Sequence, residues 1–149
     1  YSPYEWIFFG DITRVKELGF KEEMFPTYRN LQKTSLTGEL LTNVYNGGTV
    51  NSEFEAMTGF SVSYLPSEYM PYQRCLRPNF YSINSFLESS GYDSLAIHPF
   101  EKTNYNRNAA YEYMDFDKTV WEDDFDANAD RMRGYISDHA LTEKIIERI

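Results

Sequence analysis

The sequence predicts an α/β domain: a three-layer α/β/α sandwich with a mainly parallel sheet, present in whole or in part. Three observations point there. Short strand-like runs at 38–45 and 94–98 alternate with helix-like stretches, the pattern of βαβ units. Each run ends in a loop of Gly, Asn or Pro, the residues that stop strands. The 149 residues, 42% apolar and 25% charged, are enough to bury one core, and no internal repeat or Gly/Ser linker divides them. The expectation is therefore one domain, or part of one, over 1–149.

Taken in order, residues 1–29 read as irregular, with 16–24 a short helix or turn. Residues 38–45 carry β-branched and aromatic side chains and stop at Gly47 and Gly48, which reads as a strand. Residues 50–58 read as a helix. Thr49 or Asn51 can cap it, Phe54 and Met57 share a face, and Gly59 sits where a left-handed closing residue is wanted. A helix over 82–90 ends at Gly91, and 94–98 follows as a short buried strand. Residues 108–114 read as helical. Ser137 caps a last helix over 138–149, whose apolar stripe is Leu141, Ile145 and Ile149, with Ile146 beside it. Parallel sheets place their sites beyond the carboxyl ends of the strands, which directs attention to the loops 46–51 and 98–107.

Composition excludes several classes. The longest apolar run is a few residues, such as Trp6 to Phe9, so no membrane-spanning helix or signal peptide is visible and the chain is expected to be soluble. A net charge of −9 argues against nucleic acid as the main partner, because phosphate tracking needs a basic face. A small anion remains compatible, since local Arg, His or metal charge can override the net field in a cleft. The single cysteine, Cys75, reads as an inert thiol; alone it permits neither an internal disulfide nor a Cys-based zinc site. Aromatic residues reach 17%, with 13 Tyr and 11 Phe. Tyr64, Tyr69, Tyr72, Tyr81, Tyr105, Tyr111 and Tyr113 lie in polar surroundings, which suits rings lying over a core with wet hydroxyls. A cleft for a sugar or glycerol-like group is the alternative.

In the first loop, two glycines precede Thr49 and a helix follows. The glycines allow close backbone approach, and the helix start presents free N–H groups to an anion. Thr49 is either an attacking oxygen, given a metal or base to lower its pKa, or simply the helix cap. In the second loop, His98 and Arg107 can hold a phosphate or sulfate, the Arg through two donors. Equally, they can be a backbone-bonded His and a salt-bridged Arg. Asp138-His139 suits the first turn of a helix better than a metal site. Residues 124–130 imitate a calcium loop, but Ala129 stands where its Gly belongs and Tyr135 where its Glu belongs.

The segment Gly47-Gly-Thr-Val-Asn-Ser-Glu-Phe-Glu-Ala-Met-Thr-Gly59 resembles the nucleophile segment of the lipoteichoic acid synthase and phosphoglycerol transferase branch of the sulfatase family, within the alkaline phosphatase superfamily. Ser63-Tyr-Leu-Pro66, Ser85-Phe-Leu-Glu-Ser-Ser-Gly-Tyr92, Ala96-Ile-His-Pro99, Asn106-Arg107 and Arg133-Gly-Tyr-Ile-Ser-Asp138 continue the resemblance in order, over roughly residues 29–149.

The resemblance implies that Thr49 is a metal-bound nucleophile that takes phosphoglycerol as a covalent phosphothreonine. It implies that His98 and Arg107 hold the glycerol phosphate, that Tyr105 contacts substrate, and that the cofactor is a divalent cation, Mn2+ or Mg2+. It places the parent protein at the outer face of a bacterial membrane, through an anchor outside this chain, with a phosphoglycerol lipid or another phosphate or sulfate ester as partner. Phe8-Phe-Gly-Asp-Ile-Thr-Arg14 resembles the aromatic-Asp segment after the first strand, but the expected Glu metal ligand is replaced and Glu5 is out of register. The resemblance thus implies the N-terminal half of a catalytic domain, with its first strand missing or altered and an incomplete metal site. Alone it is expected to be inactive and to self-associate. The alternatives are a non-catalytic binding module that kept the fold and lost its metal site, or a hydrolase with water as acceptor.

Overall fold

A computed structural model describes residues 11–38, 48–66 and 68–148, in two units, Tyr1–Asn43 and Val44–Ile149. The strand expected at 38–45 lies outside the described residues except for Gly38.

The first unit opens with 3-10 turns at Ile12–Arg14 and Lys16–Leu18, the second closed by Gly19 at φ 58°. Helix α1 (Pro26–Thr34) follows, where the sequence suggested irregular chain as far as residue 29. Pro26 explains it: at the first helical position its missing N–H has no intrahelical partner to lose, and its fixed φ suits the helix. Arg29 ties α1 to the opening turn by an ion pair with Asp11 at 2.7 Å. Asp11 also accepts from the Thr13 hydroxyl, and that bond, with Arg29, holds its carboxyl below the usual range.

The second unit begins with α2 (Thr49–Thr58), bracketed by Gly48 at φ 78° and Gly59 at φ 73°, both left-handed. Val50, Phe54 and Met57 bury its apolar face, as the spacing of Phe54 and Met57 required. The cap differs from expectation. Gly48 is the N-cap and Thr49 is already the first helical residue, so neither Thr49 nor Asn51 caps the helix. A left-handed turn into the helix is open to glycine at little cost, which takes the entry away from a side-chain cap.

Short helix α3 (Pro71–Arg74) and helix α4 (Ile83–Glu88) come next. Ser82 caps α4 by accepting from the Asn84 N–H at 3.2 Å and donates to the Met114 carbonyl at 2.9 Å, while Ser85 accepts from the Ser82 N–H. Strand β1 (Leu95–Ile97), helix α5 (Arg107–Tyr113) and strand β2 (Lys118–Val120) form a βαβ unit, with Ala96 opposite Thr119 in a parallel pair. Only Ala96 of β1 is buried, so the strand is less enclosed than expected; Leu95 is 37% exposed. An antiparallel pair, β3 (Arg131–Met132) and β4 (Tyr135–Ile136), turns through Arg133 and Gly134, both at positive φ.

Helix α6 (Asp138–Arg148) starts from Ser137, whose hydroxyl accepts the Ala140 N–H at 3.1 Å, as the sequence indicated. Its fully buried residue is Ala140, which packs with Val120, Phe125 and Ile136, with Leu141 at the margin. Ile146, read as lying beside the stripe, is 70% exposed, and Ile149 lies outside the described residues. Tyr72 and Tyr111 also depart from expectation: both are core residues, their rings edge-to-face at 6.4 Å, whereas Tyr64 and Tyr81 stand in solvent. Tyr111 stacks on Trp121 at 5.4 Å, which seats α5 on the chain leaving β2.

Candidate active site

Thr49 occupies the start of α2, directly after the left-handed Gly48, and its side chain is half-buried. One turn later on the same helix face stands Glu53, since residues four apart are neighbours on a helix. Glu53 is buried among the apolar side chains of α2. Its Oε2 accepts from Arg107 Nε at 3.2 Å and its Oε1 from Nη2 at 2.5 Å. The ion pair brings the second loop against α2, and both of its side chains are almost fully buried.

His98 follows β1 and extends its ladder, its N–H donating to the Val120 carbonyl at 2.8 Å. The imidazole lies edge-on to Trp121 at 6.1 Å. Its Nε2 is buried and has no hydrogen-bond partner among the described residues. Burial, and then the Arg107 charge, lower its pKa to about 4, so the ring is neutral at physiological pH.

Between His98 and Arg107 the chain reverses through two consecutive left-handed residues, Tyr105 at φ 55° and Asn106 at φ 63°. Asn106 donates from Nδ2 to the Tyr72 carbonyl at 3.2 Å, and the Tyr105 ring lies 5.3 Å from the Arg107 guanidinium carbon. Arg107 therefore touches Tyr105 and Glu53 and acts electrostatically on His98. Thr49 stands one helical turn before Glu53 on α2. Tyr72 borders the group, its buried hydroxyl beside the Glu53 carboxylate. Burial and the neighbouring Glu53 charge raise the Tyr72 phenol well above its ordinary pKa.

The sequence singles out Thr49, His98, Tyr105 and Arg107 as site residues and offers Tyr72 only as one of several polar tyrosines, but it does not single out Glu53. The signal for Glu53 was present: a carboxylate three residues after Val50 and one before Phe54 falls on the face that must be buried, and a buried charge needs a partner.

The features set aside from the sequence lie on the surface. His139 is 74% exposed and pairs with Glu143 one turn on. Asp124 accepts the Trp121 N–H at 2.8 Å and Asp126 the Asn128 N–H at 2.7 Å, which are local turn bonds. Among the described residues no three His, Cys, Asp or Glu side chains gather into a group able to hold a metal ion. The described residues alone therefore do not fit a complete divalent-cation site. Glu5 and Gly47 lie outside them.

The chain matches the sulfatase family over residues 3–149. It is 38% identical over 141 residues to a putative cyclic beta-1,2-glucan modification protein of Rhizobium meliloti (strain 1021), spanning 94% of this chain and 21% of that protein. The capsular polysaccharide biosynthesis protein RkpI of the same organism is 26% identical over 138 residues, spanning 91% of this chain and 26% of RkpI. Among solved structures, the lipoteichoic acid synthase LtaP from Listeria monocytogenes superposes with a TM-score of 0.73 at 22% identity, over 83% of this chain and 29% of LtaP. A protein in the alkaline phosphatase superfamily from Vibrio parahaemolyticus gives 0.55 at 22% identity, over 68% of this chain and 23% of that one. The likeness to both structures is one of fold, and the expected α/β class is that of these neighbours. The chain spans only 21% and 26% of the lengths of the two curated relatives.

Proposed function

The chain belongs to the sulfatase family, and from that premise we propose that the protein carrying it is a metal-dependent phosphoglycerol transferase or sulfatase-like hydrolase that works through a covalent phosphothreonine at Thr49. One observation carries the proposal. The Glu53–Arg107 pair draws the His98–Arg107 loop onto the helix that Thr49 begins. His98 and Arg107 bracket the loop that follows β1, and Thr49 opens the helix to which that loop is tied.

In this reaction Thr49 Oγ1 attacks the phosphorus of a phosphoglycerol lipid and the bond from phosphorus to the lipid oxygen breaks. The lipid leaves as an alcohol, with the threonine proton as the net balance. An acceptor hydroxyl then attacks the same phosphorus, the Thr49 ester breaks, and Thr49 regains its proton from the acceptor. Arg107 donates to the phosphoryl oxygens as their charge is redistributed. His98 offers Nε2 to the phosphate or glycerol as a neutral partner, and Tyr105 flanks the bound group. Water or a sugar hydroxyl can serve as acceptor; the names of the two curated relatives, in glucan modification and capsular polysaccharide biosynthesis, favour a glycan.

The proposal includes a divalent cation, Mn2+ or Mg2+, at Thr49, with its other ligands drawn from outside the described residues. It also includes a site of action at the outer face of a bacterial membrane. Among the described residues no helix is long and apolar enough to cross one. The 149-residue chain by itself is proposed to be inactive and self-associating.

Intact mass spectrometry of the full-length protein after incubation with Mn2+ and phosphatidylglycerol, beside Thr49→Ala, tests this directly. A glycerol-phosphate adduct mapping to Thr49 supports the proposal. Metal uptake without an adduct redirects it to another ester, and neither metal nor adduct leaves a binding module.

A further inference from the structure

We propose that Glu53 is the positioning residue for Arg107, setting the orientation in which that guanidinium meets the transferred phosphoryl group. The assignment rests on the phosphoester reading of the site. Glu53 takes the Nε–Nη2 edge of the guanidinium with both carboxylate oxygens, at 3.2 and 2.5 Å. Two parallel bonds fix the plane of the group as well as its distance. The opposite edge, at Nη1, lies 3.5 Å from the Asn104 carbonyl.

As a strut the pair is a poor device. Taking both charges out of water costs several kcal/mol in general terms, and well-packed apolar side chains of similar volume often do as well or better. What the pair supplies that apolar packing does not is a cation held in one orientation.

The backbone gives an independent observation. Tyr105 and Asn106 both adopt left-handed φ immediately before Arg107. A left-handed conformation costs a non-glycine residue energy and persists only where its surroundings enforce it. The Asn106–Tyr72 bond and the Tyr105–Arg107 contact supply that enforcement. The loop is thus bent at a cost to deliver Arg107 to Glu53. Because Glu53 is four residues after Thr49, a single helical turn then sets the spacing between the guanidinium and the threonine oxygen.

The test uses the full-length protein with Mn2+ and phosphatidylglycerol vesicles, and follows diacylglycerol release. Glu53→Gln keeps the size but loses the charge and one of the two oxygen acceptors. It is expected to lower kcat about tenfold or more while KM moves less than about threefold, since misplacing a bound group is felt mainly in the transition state. Glu53→Asp keeps the charge but retracts it, and is expected to fall between. In an Arg107→Lys background, which cannot be gripped at two points, the loss caused by Glu53→Gln is expected to shrink below about twofold.

A purely structural Glu53 predicts unchanged kcat per folded molecule and additive losses in kcat, whatever the change in thermal stability. Either that kcat or that additivity overturns the assignment while leaving the phosphoester reading intact. If Glu53→Gln does not fold, Glu53→Asp decides by the same criteria. A wild-type protein that neither releases diacylglycerol nor forms an adduct overturns the phosphoester reading, and this assignment with it.

Discussion

Glu53 and Arg107 stand 54 positions apart and meet in a two-point ion pair whose side chains are 2% and 4% exposed. The pair joins α2 to the first turn of α5, at the end of the loop that follows β1.

Removing one partner leaves the other as a buried, uncompensated charge. Glu53→Ala or Arg107→Ala is expected to cost about 3–5 kcal/mol, read from urea unfolding monitored by hydrogen exchange at the α2 amides. Glu53→Leu combined with Arg107→Met is expected to cost less than either single change. Strictly additive losses would argue against a coupled pair.

Thr49 separates chemistry from stability. Gly48 provides the helix entry, so Thr49→Ala is expected to abolish the covalent adduct while changing stability by no more than about 0.5 kcal/mol. Thr49→Ser, which keeps an attacking hydroxyl, is expected to retain a reduced adduct. A large drop in melting temperature in the alanine variant would assign Thr49 a structural role instead.

The buried imidazole gives a pH signature. His98 titrates near pH 4 in the folded chain, against about 6.5 unfolded. Between those values the unfolded state binds a proton that the native state does not, so stability rises with pH across that window and falls on acidification. With allowance for its partial exposure, the loss from pH 7 to pH 4 is on the order of 2 kcal/mol. Urea midpoints at pH 7.5 and 4.5 should differ more in wild type than in His98→Gln. Equal differences would place the imidazole in solvent.

Tyr72 buries its hydroxyl beside the Glu53 carboxylate, whose charge and hydrogen bond help to raise the phenol's pKa. Tyr72→Phe keeps the edge-to-face contact with Tyr111 and takes the hydroxyl away from Glu53. It is expected to lower the unfolding free energy by about 1–3 kcal/mol, the range for a hydrogen bond to a charged group. An unchanged urea midpoint would show that the hydroxyl gives Glu53 no support.

Helices α2, α4 and α6 and strand β1 were legible in the sequence because each has a local cause, a glycine or serine boundary beside apolar residues, and α5 was legible to within one residue at each end although Asn106 and Met114 bound it. Helix α1 was missed because Tyr28 and Leu31 are the only large apolar side chains in its nine residues, leaving Pro26 as its main cue. Strand β2 was missed because three residues beginning with Lys118 and Thr119 carry no pattern without their partner. At the site, Thr49, His98, Tyr105 and Arg107 were found through loops at strand ends and a family resemblance. What holds Arg107 was not found, because an ion pair across 54 positions leaves no local trace. The mismatch of Glu53 with its apolar neighbours was the only hint.

Helix α2, closed at each end by a left-handed glycine, works as a ruler of fixed length. Substitutions that spare Thr49, Glu53 and the buried apolar face can be absorbed, but insertions and deletions cannot. One residue added between Thr49 and Glu53 swings the carboxylate about 100° around the axis, away from Arg107, with every native side chain still present. Homologous chains that keep this function should therefore keep Thr49 and Glu53, tolerate changed letters elsewhere between Gly48 and Gly59, and keep the count of residues.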